Sequence, residues 1–207
     1  MKPARVLQKR VFLYYQEKRS QSKRVGSAQT YPDKMENRKR KTVAESRSVM
    51  HRLVMPEDSN TIGTLMGGVL MHWMDMCAAI AARRHSNSYA MTVTVDRIQF
   101  IGSVSVGEVV NLEAEVTRAF RTSMEVGMRV IAENLETGEK RLCASTFYSF
   151  VAVDKQGHTL PVPEVVPETR EQKERYRDAE KRRSARLEDA ARIREEAEAF
   201  GRQHSRD

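Results

Sequence analysis

Cysteine is scarce: Cys77 and Cys143 are the only two in 207 residues. Two are too few for a disulfide framework, and their spacing fits no metal or redox motif. Both lie inside apolar segments, which suits buried thiols in a reducing compartment. A clean apolar run is also missing. The longest, residues 65–82, carries His72 and Asp75 and is too short and too polar for a membrane span. The N-terminus lacks the apolar run of a secretory signal. Acidic residues are sparse at the front, where residues 1–48 hold fourteen Lys/Arg against four Asp/Glu. That excess is larger than the +8 of the whole chain, so the basic balance belongs to the arm and not to the remainder. The length allows one domain with a proper core, plus tails.

The arm, residues 1–45, is expected to be largely disordered. Residues 5–15 have the makings of a short amphipathic helix, but residues 20–41 bury too little to offset ordering entropy. They end in the basic cluster Arg38-Lys39-Arg40-Lys41. From Ser48 the pattern changes to strand, with Val49, His51, Leu53 and Met55 alternating with Met50, Arg52 and Val54 until Pro56. A loop at 57–65 leads into an Ala-, Met- and Leu-rich stretch, 67–84, that favours helix and shows no wide wet face. Such a helix is expected to be wrapped by other elements. Strand patterns follow at 91–100, with a bulge near Asp96 and Arg97, and then at 110–117, 124–133 and 140–153. Short connections make these last four an antiparallel meander. The implied class is α+β, a hotdog fold over 46–157: a curved antiparallel five-stranded sheet wrapped around a central helix. One such sheet leaves an edge and part of the helix uncovered, so dimerisation is expected. Residues 158–168 contain three prolines and predict an extended linker. Thr169-Arg170-Glu171-Gln172 fits a capping box that opens a charged helix over 169–203.

Asp75 is the anomaly. It lies in a stretch apolar enough to be buried, where an ionised and unpaired carboxylate costs several kcal/mol. Two explanations stay open at this point: catalysis, or a structural pair with His72 one turn earlier. Gly63, Gly67 and Gly68 precede or open the same helix. Glycines let a ligand approach the backbone, and the first amides of a helix can hold the oxyanion of a tetrahedral intermediate. They equally suit tight packing of helix on sheet.

The ordered set Asn60-Thr61-Ile62-Gly63-Thr64-Leu65-Met66-Gly67-Gly68, His72-Trp73-Met74-Asp75, Ala78–Ala82, Phe100, Gly107, Arg121-Thr122-Ser123-Met124 and Phe150-Val151-Ala152-Val153-Asp154 resembles the hotdog-fold acyl-CoA thioesterases. The branch is that of brain acyl-CoA hydrolase and its short bacterial relatives. The resemblance covers slightly more than half the chain. It implies an acyl-CoA hydrolase in which Asp75 activates water or attacks the thioester directly, next to the oxyanion amides of Gly68 and Gly67. Asn60 would orient the water or the carbonyl from across a dimer interface. Arg121, Thr122 and Ser123, with Thr64 and Met66, would contact CoA and substrate. No metal or cofactor is implied beyond the CoA of the substrate, and relatives assemble as trimers of dimers. Phe120 stands where the family has a small residue.

Two other functions compete with hydrolysis. A non-catalytic acyl-CoA sensor on the same fold would have no need of Asp75 and Asn60 together. Nucleic-acid binding through the arm has charge and tyrosines in its favour but no motif. A cytoplasmic location is expected, with the mitochondrial matrix as the alternative because the arm is basic and poor in acid.

Overall fold

The computed structural model describes residues 38–204, with side chains as far as residue 200. The expected helix at 5–15 and most of the arm lie outside the described residues. Two units divide after Val166.

In the first unit, helix α1 runs Gly67–Ser86. Its apolar residues recur every three or four positions, and Leu70, Trp73, Met74, Cys77, Ala78, Ala81 and Ala82 are buried. Three alanines and a cysteine in that stripe let the backbone sit close on the sheet. The opposite face is open, with Met71 43% and Ile80 42% exposed. The sheet thus covers one side of the helix and leaves the other uncovered, as the single five-stranded sheet implied.

Among the described residues there are eight strands: β1 Arg40–Thr42, β2 Ser48–Leu53, β3 Tyr89–Val95, β4 Gln99–Phe100, β5 Val109–Ala119, β6 Ser123–Glu133, β7 Lys140–Val153 and β8 Glu164–Val166. The main sheet has the order β2-β5-β6-β7-β3, with β4 also on β7. All its pairings are antiparallel. The helix touches all five long strands. Outer strands of a flat five-stranded sheet lie about 19 Å apart, whereas a helix is about 10 Å wide, so the sheet must curve around it.

Only β5-β6-β7 is a meander. The expected four-strand meander fails because β2 occupies the free edge of β5, pairing Ser48–Leu53 with residues 109–114. β3 is therefore sent to the far side of β7. The bulge is also displaced: the register slips between Thr92 and Thr94, and pairing then stops until β4. Asp96 bridges the gap, its N–H donating to Phe147 O at 2.9 Å and its carbonyl accepting from Thr146 Oγ1 at 3.1 Å.

The Pro-rich stretch is not a free linker. β8 pairs in parallel with β1, Val162 and Val165 are buried, and Leu160 N–H donates to Ala152 O at 2.9 Å. The basic cluster is likewise ordered. Arg38 donates to the carbonyls of Phe120 and Val162 at 2.7 and 2.9 Å, and Lys41 donates to that of Arg84 at 2.6 Å. Folded structure therefore extends beyond the expected 46–157 at both ends. Cys77 and Cys143 are buried free thiols.

The second unit holds helix α2, Arg170–His204. Its capping box forms as expected. Gln172 N–H donates to Thr169 Oγ1 at 3.2 Å, and Gln172 Oε1 accepts from Thr169 N–H at 3.1 Å. Ion pairs such as Arg170–Glu174 and Glu171–Arg175 join successive turns.

Candidate active site

The chain enters α1 through a loop organised by Asn60. Its Oδ1 accepts from Ile62 N–H at 3.0 Å and Thr64 N–H at 3.2 Å, and its Nδ2 donates to Thr64 Oγ1 at 2.9 Å. Gly63, at φ 76°, turns the loop back in a conformation that side chains disfavour. Met66 is the N-cap, its N–H donating to Asp58 O at 2.9 Å. No side chain caps the helix, and Gly67 and Gly68 are exposed. Their amides therefore face outward with the positive end of the helix dipole behind them. Nothing lies within 4 Å of where a Gly68 side chain would begin, whereas the Phe100 ring lies 3.6 Å from that point on Gly67.

Asp75 lies two turns further along and is half-buried. Thr92 of β3 donates to its Oδ1 at 2.8 Å. Below it sits Tyr148, whose hydroxyl is pushed up to about 12 by burial first and by the Asp75 charge second. Of the two readings left open by the sequence, the pair with His72 is not formed: His72 is exposed, and Asp75 takes its hydrogen bond from a strand instead. Thr92 went unnoticed in the sequence because a threonine alternating with Met91 and Val93 is ordinary strand composition.

The second correction concerns proximity. Gly68 and Asp75 are seven residues apart, which at 1.5 Å per residue is about 10 Å along the helix. A carbonyl oxygen and the carbon under attack are separated by little more than a bond length. Within one chain, Asp75 and the Gly67/Gly68 amides therefore do not meet at one thioester.

The β5–β6 hairpin carries Arg121, Thr122 and Ser123. Arg121 is exposed and Ser123 half-buried, but Thr122 is only 3% exposed, so its hydroxyl is not on the surface expected to meet CoA. The backbone explains why. The turn is held from two elements: Val162 of the segment 158–163 donates its N–H to Arg121 O at 3.1 Å, and Ala152 of β7 donates its N–H to Thr122 O at 3.0 Å. The Phe120 ring, the departure noted above, lies under the Arg118 guanidinium at 5.4 Å. Through the pairs Thr92–Phe150 and Phe150–Met124, Ser123 ends two strand spacings from Thr92, about 10 Å. Among the described residues no three His, Cys, Asp or Glu side chains gather as a metal site would. No helix there is long and apolar enough to cross a membrane.

A curved sheet around one helix, with an acid on that helix and open amides at its start, defines a class of thioester-handling domain. The family model of the thioesterase superfamily matches residues 62–139. A Bacillus subtilis protein described as an uncharacterized acyl-CoA thioester hydrolase, YkhA, is 41% identical over 138 residues, covering 67% of this chain and 80% of the relative. The Homo sapiens cytosolic acyl coenzyme A thioester hydrolase is 36% identical over 68% of this chain, which spans only 38% of that protein's length. Among solved structures, an apo-hexameric acyl-CoA thioesterase superposes with TM-score 0.72 and 42% identity, covering 74% of this chain and 98% of the other. The Staphylococcus aureus acyl-CoA hydrolase, solved with butyryl coenzyme A and coenzyme A, superposes with TM-score 0.69 and 31% identity over 76% and 99%. This chain belongs to the hotdog-fold acyl-CoA thioesterase family. Variants of the S. aureus protein replace an Asp, an Asn fifteen residues before it and a Thr seventeen residues after it by Ala. Asn60 and Thr92 stand at those same separations from Asp75.

Proposed function

We propose that this protein hydrolyses acyl-CoA thioesters in a site completed by two copies of the chain. One copy supplies Asp75; the other supplies Asn60 and the amides of Gly67 and Gly68. The observation that carries this reading is the Asp75 carboxylate itself. It is half-buried on an apolar helix and fixed at Oδ1 by Thr92. Oδ2 has no partner among the described residues and is the atom that takes a proton from water, or attacks the thioester carbonyl itself. The negative charge then developing on the carbonyl oxygen is met by amides already oriented by the helix. CoA leaves as the thiol and the acyl group as a carboxylic acid.

The requirement for two copies follows from the separation along α1 and from its uncovered face. The matching spacing of Asn60, Asp75 and Thr92 to the substituted S. aureus residues supports the assignment, and the hexameric relative supports an assembly of dimers. Arg121 and Ser123 are assigned to the phosphates of CoA, where a cation and a hydroxyl suit anionic oxygens. Thr64 and Met66 hold the loop that presents Asn60.

The test is steady-state turnover of an acyl-CoA panel. Wild-type protein is expected to release free CoA, and Asp75→Asn to lower kcat by about 10²–10³-fold while eluting at the same assembly size. Undiminished turnover in Asp75→Asn contradicts the assignment.

A further inference from the structure

Phe100 has a position that the catalytic account leaves unused. It closes the short strand β4, paired to Ala144 of β7, and is 52% exposed in spite of its size. Its ring does not trail into solvent. Atoms Cζ and Cε2 lie 3.6 and 3.9 Å from the point where a side chain on Gly67 would start. The ring therefore leans on the first turn of α1, against one of the two residues whose amides would receive the thioester oxygen. Ile62 and Val106 are exposed apolar residues of the loops around the helix entry, where Val106 N–H donates to Gly63 O at 3.2 Å. A surface of this kind offers nothing to the amides of a pantetheine arm. It offers dispersion and burial to methylenes.

We propose that Phe100 is a specificity-determining residue whose ring packs against the acyl carbons nearest the thioester. This rests on the hydrolase reading above and deepens it. An oxygen held at the Gly67 and Gly68 amides places the carbonyl carbon at the edge of the ring, and the next carbons of the chain run across its face. An acetyl group ends before the ring and gains little, whereas a hexanoyl group covers it. Two buried methylenes correspond to about tenfold in kcat/KM. Ile101, the residue after β4, is 63% exposed and brings no atom within 4 Å of the same point on Gly67, so it serves as the matched control.

The experiment measures kcat/KM for acetyl-CoA and hexanoyl-CoA with wild-type, Phe100→Ala, Phe100→Leu and Ile101→Ala proteins, with assembly size followed by light scattering. The readout is the hexanoyl-to-acetyl ratio, which general damage to the fold does not move. The ratio is expected to fall about tenfold in Phe100→Ala, to be partly rescued in Phe100→Leu, and to stay at the wild-type value in Ile101→Ala. An unchanged ratio in active Phe100→Ala and Phe100→Leu proteins overturns the proposal. So does an equal fall in Ile101→Ala, or a change in assembly size with the ratio preserved; these outcomes make β4 an interface strand. Absence of turnover by the wild-type protein on either substrate defeats the hydrolase reading itself.

Discussion

At its N-terminus, helix α1 is entered without a side-chain cap through two exposed glycines. At its C-terminus every available device closes it. Asn87 adopts the left-handed conformation at φ 51°, and its N–H returns to Arg83 O. Lys41 covers the Arg84 carbonyl at 2.6 Å, and Arg84 donates to Arg47 O at 2.6 Å. His85 is fully buried and donates from Nε2 to Pro163 O at 2.9 Å, which ties the helix to the strap formed by β1 and β8. One end keeps polar groups unsatisfied, and the other spends segments from both sides of the domain on satisfying them. The difference teaches where rigidity is placed: the closed end anchors α1 so that the open end and Asp75 hold their positions without being covered.

The comparison can be broken from either end. On the functional side, Thr92→Val removes the hydroxyl that fixes Asp75 and preserves shape. It should lower kcat about tenfold, equivalent to about 1.4 kcal/mol of barrier, with the melting temperature nearly unmoved. A loss of stability matching the loss of rate would make Thr92 a structural residue instead.

On the anchoring side, His85 links stability to pH. Burial holds its imidazole below the usual histidine range, opposed by the Pro163 hydrogen bond, with Lys41 adding to the depression. With Nε2–H donating, Nδ1 is buried and has no partner among the described residues. The folded state thus binds fewer protons than the unfolded chain once pH falls below about 6.5. The contribution is complete above that value and is lost as pH falls toward the depressed folded value. Urea titrations from pH 8 to pH 5 should show this decline. His85→Leu should cost about 1 kcal/mol at pH 8 through the lost hydrogen bond and should flatten the difference curve. A wild-type curve parallel to that of the variant rejects the assignment. An effect of the same size belongs to Asn87. Asn87→Ala should destabilise by about 1 kcal/mol, because alanine keeps the Cβ that positive φ disfavours without the short polar side chain that lets asparagine tolerate it, whereas Asn87→Gly should be close to neutral in thermal unfolding.

Much of this was legible in the sequence, for identifiable reasons. Strand alternation located β2, β5, β6 and β7, and the apolar run located α1, because both periods are local. Asp75 stood out because a carboxylate among Met, Ala and Trp needs an explanation. Strand order was not legible: nothing local in β3 tells whether it will pair with β5 or β7, and the edge taken by β2 decides it. The β1–β8 pairing was hidden because it joins a basic cluster to a proline-rich stretch, two compositions that read as disordered or extended when taken alone. Thr92 was missed because its partner lies seventeen positions earlier on another element. Thr122 was misplaced onto the surface because its hairpin is held by β7 through Ala152 and by the supposed linker through Val162, neither of which is near it in sequence.

The account depends on Asp75 of one copy working with Asn60 and the open helix start of another, and mixed assemblies test this directly. Asp75→Asn and Asn60→Ala proteins, each poorly active alone, are unfolded together, refolded as a mixture and assayed on hexanoyl-CoA. A two-copy site gives each mixed dimer one intact site, so random pairing should restore about a quarter of wild-type activity. A mixture no more active than the average of its two refolded components would show that each site is built within one chain.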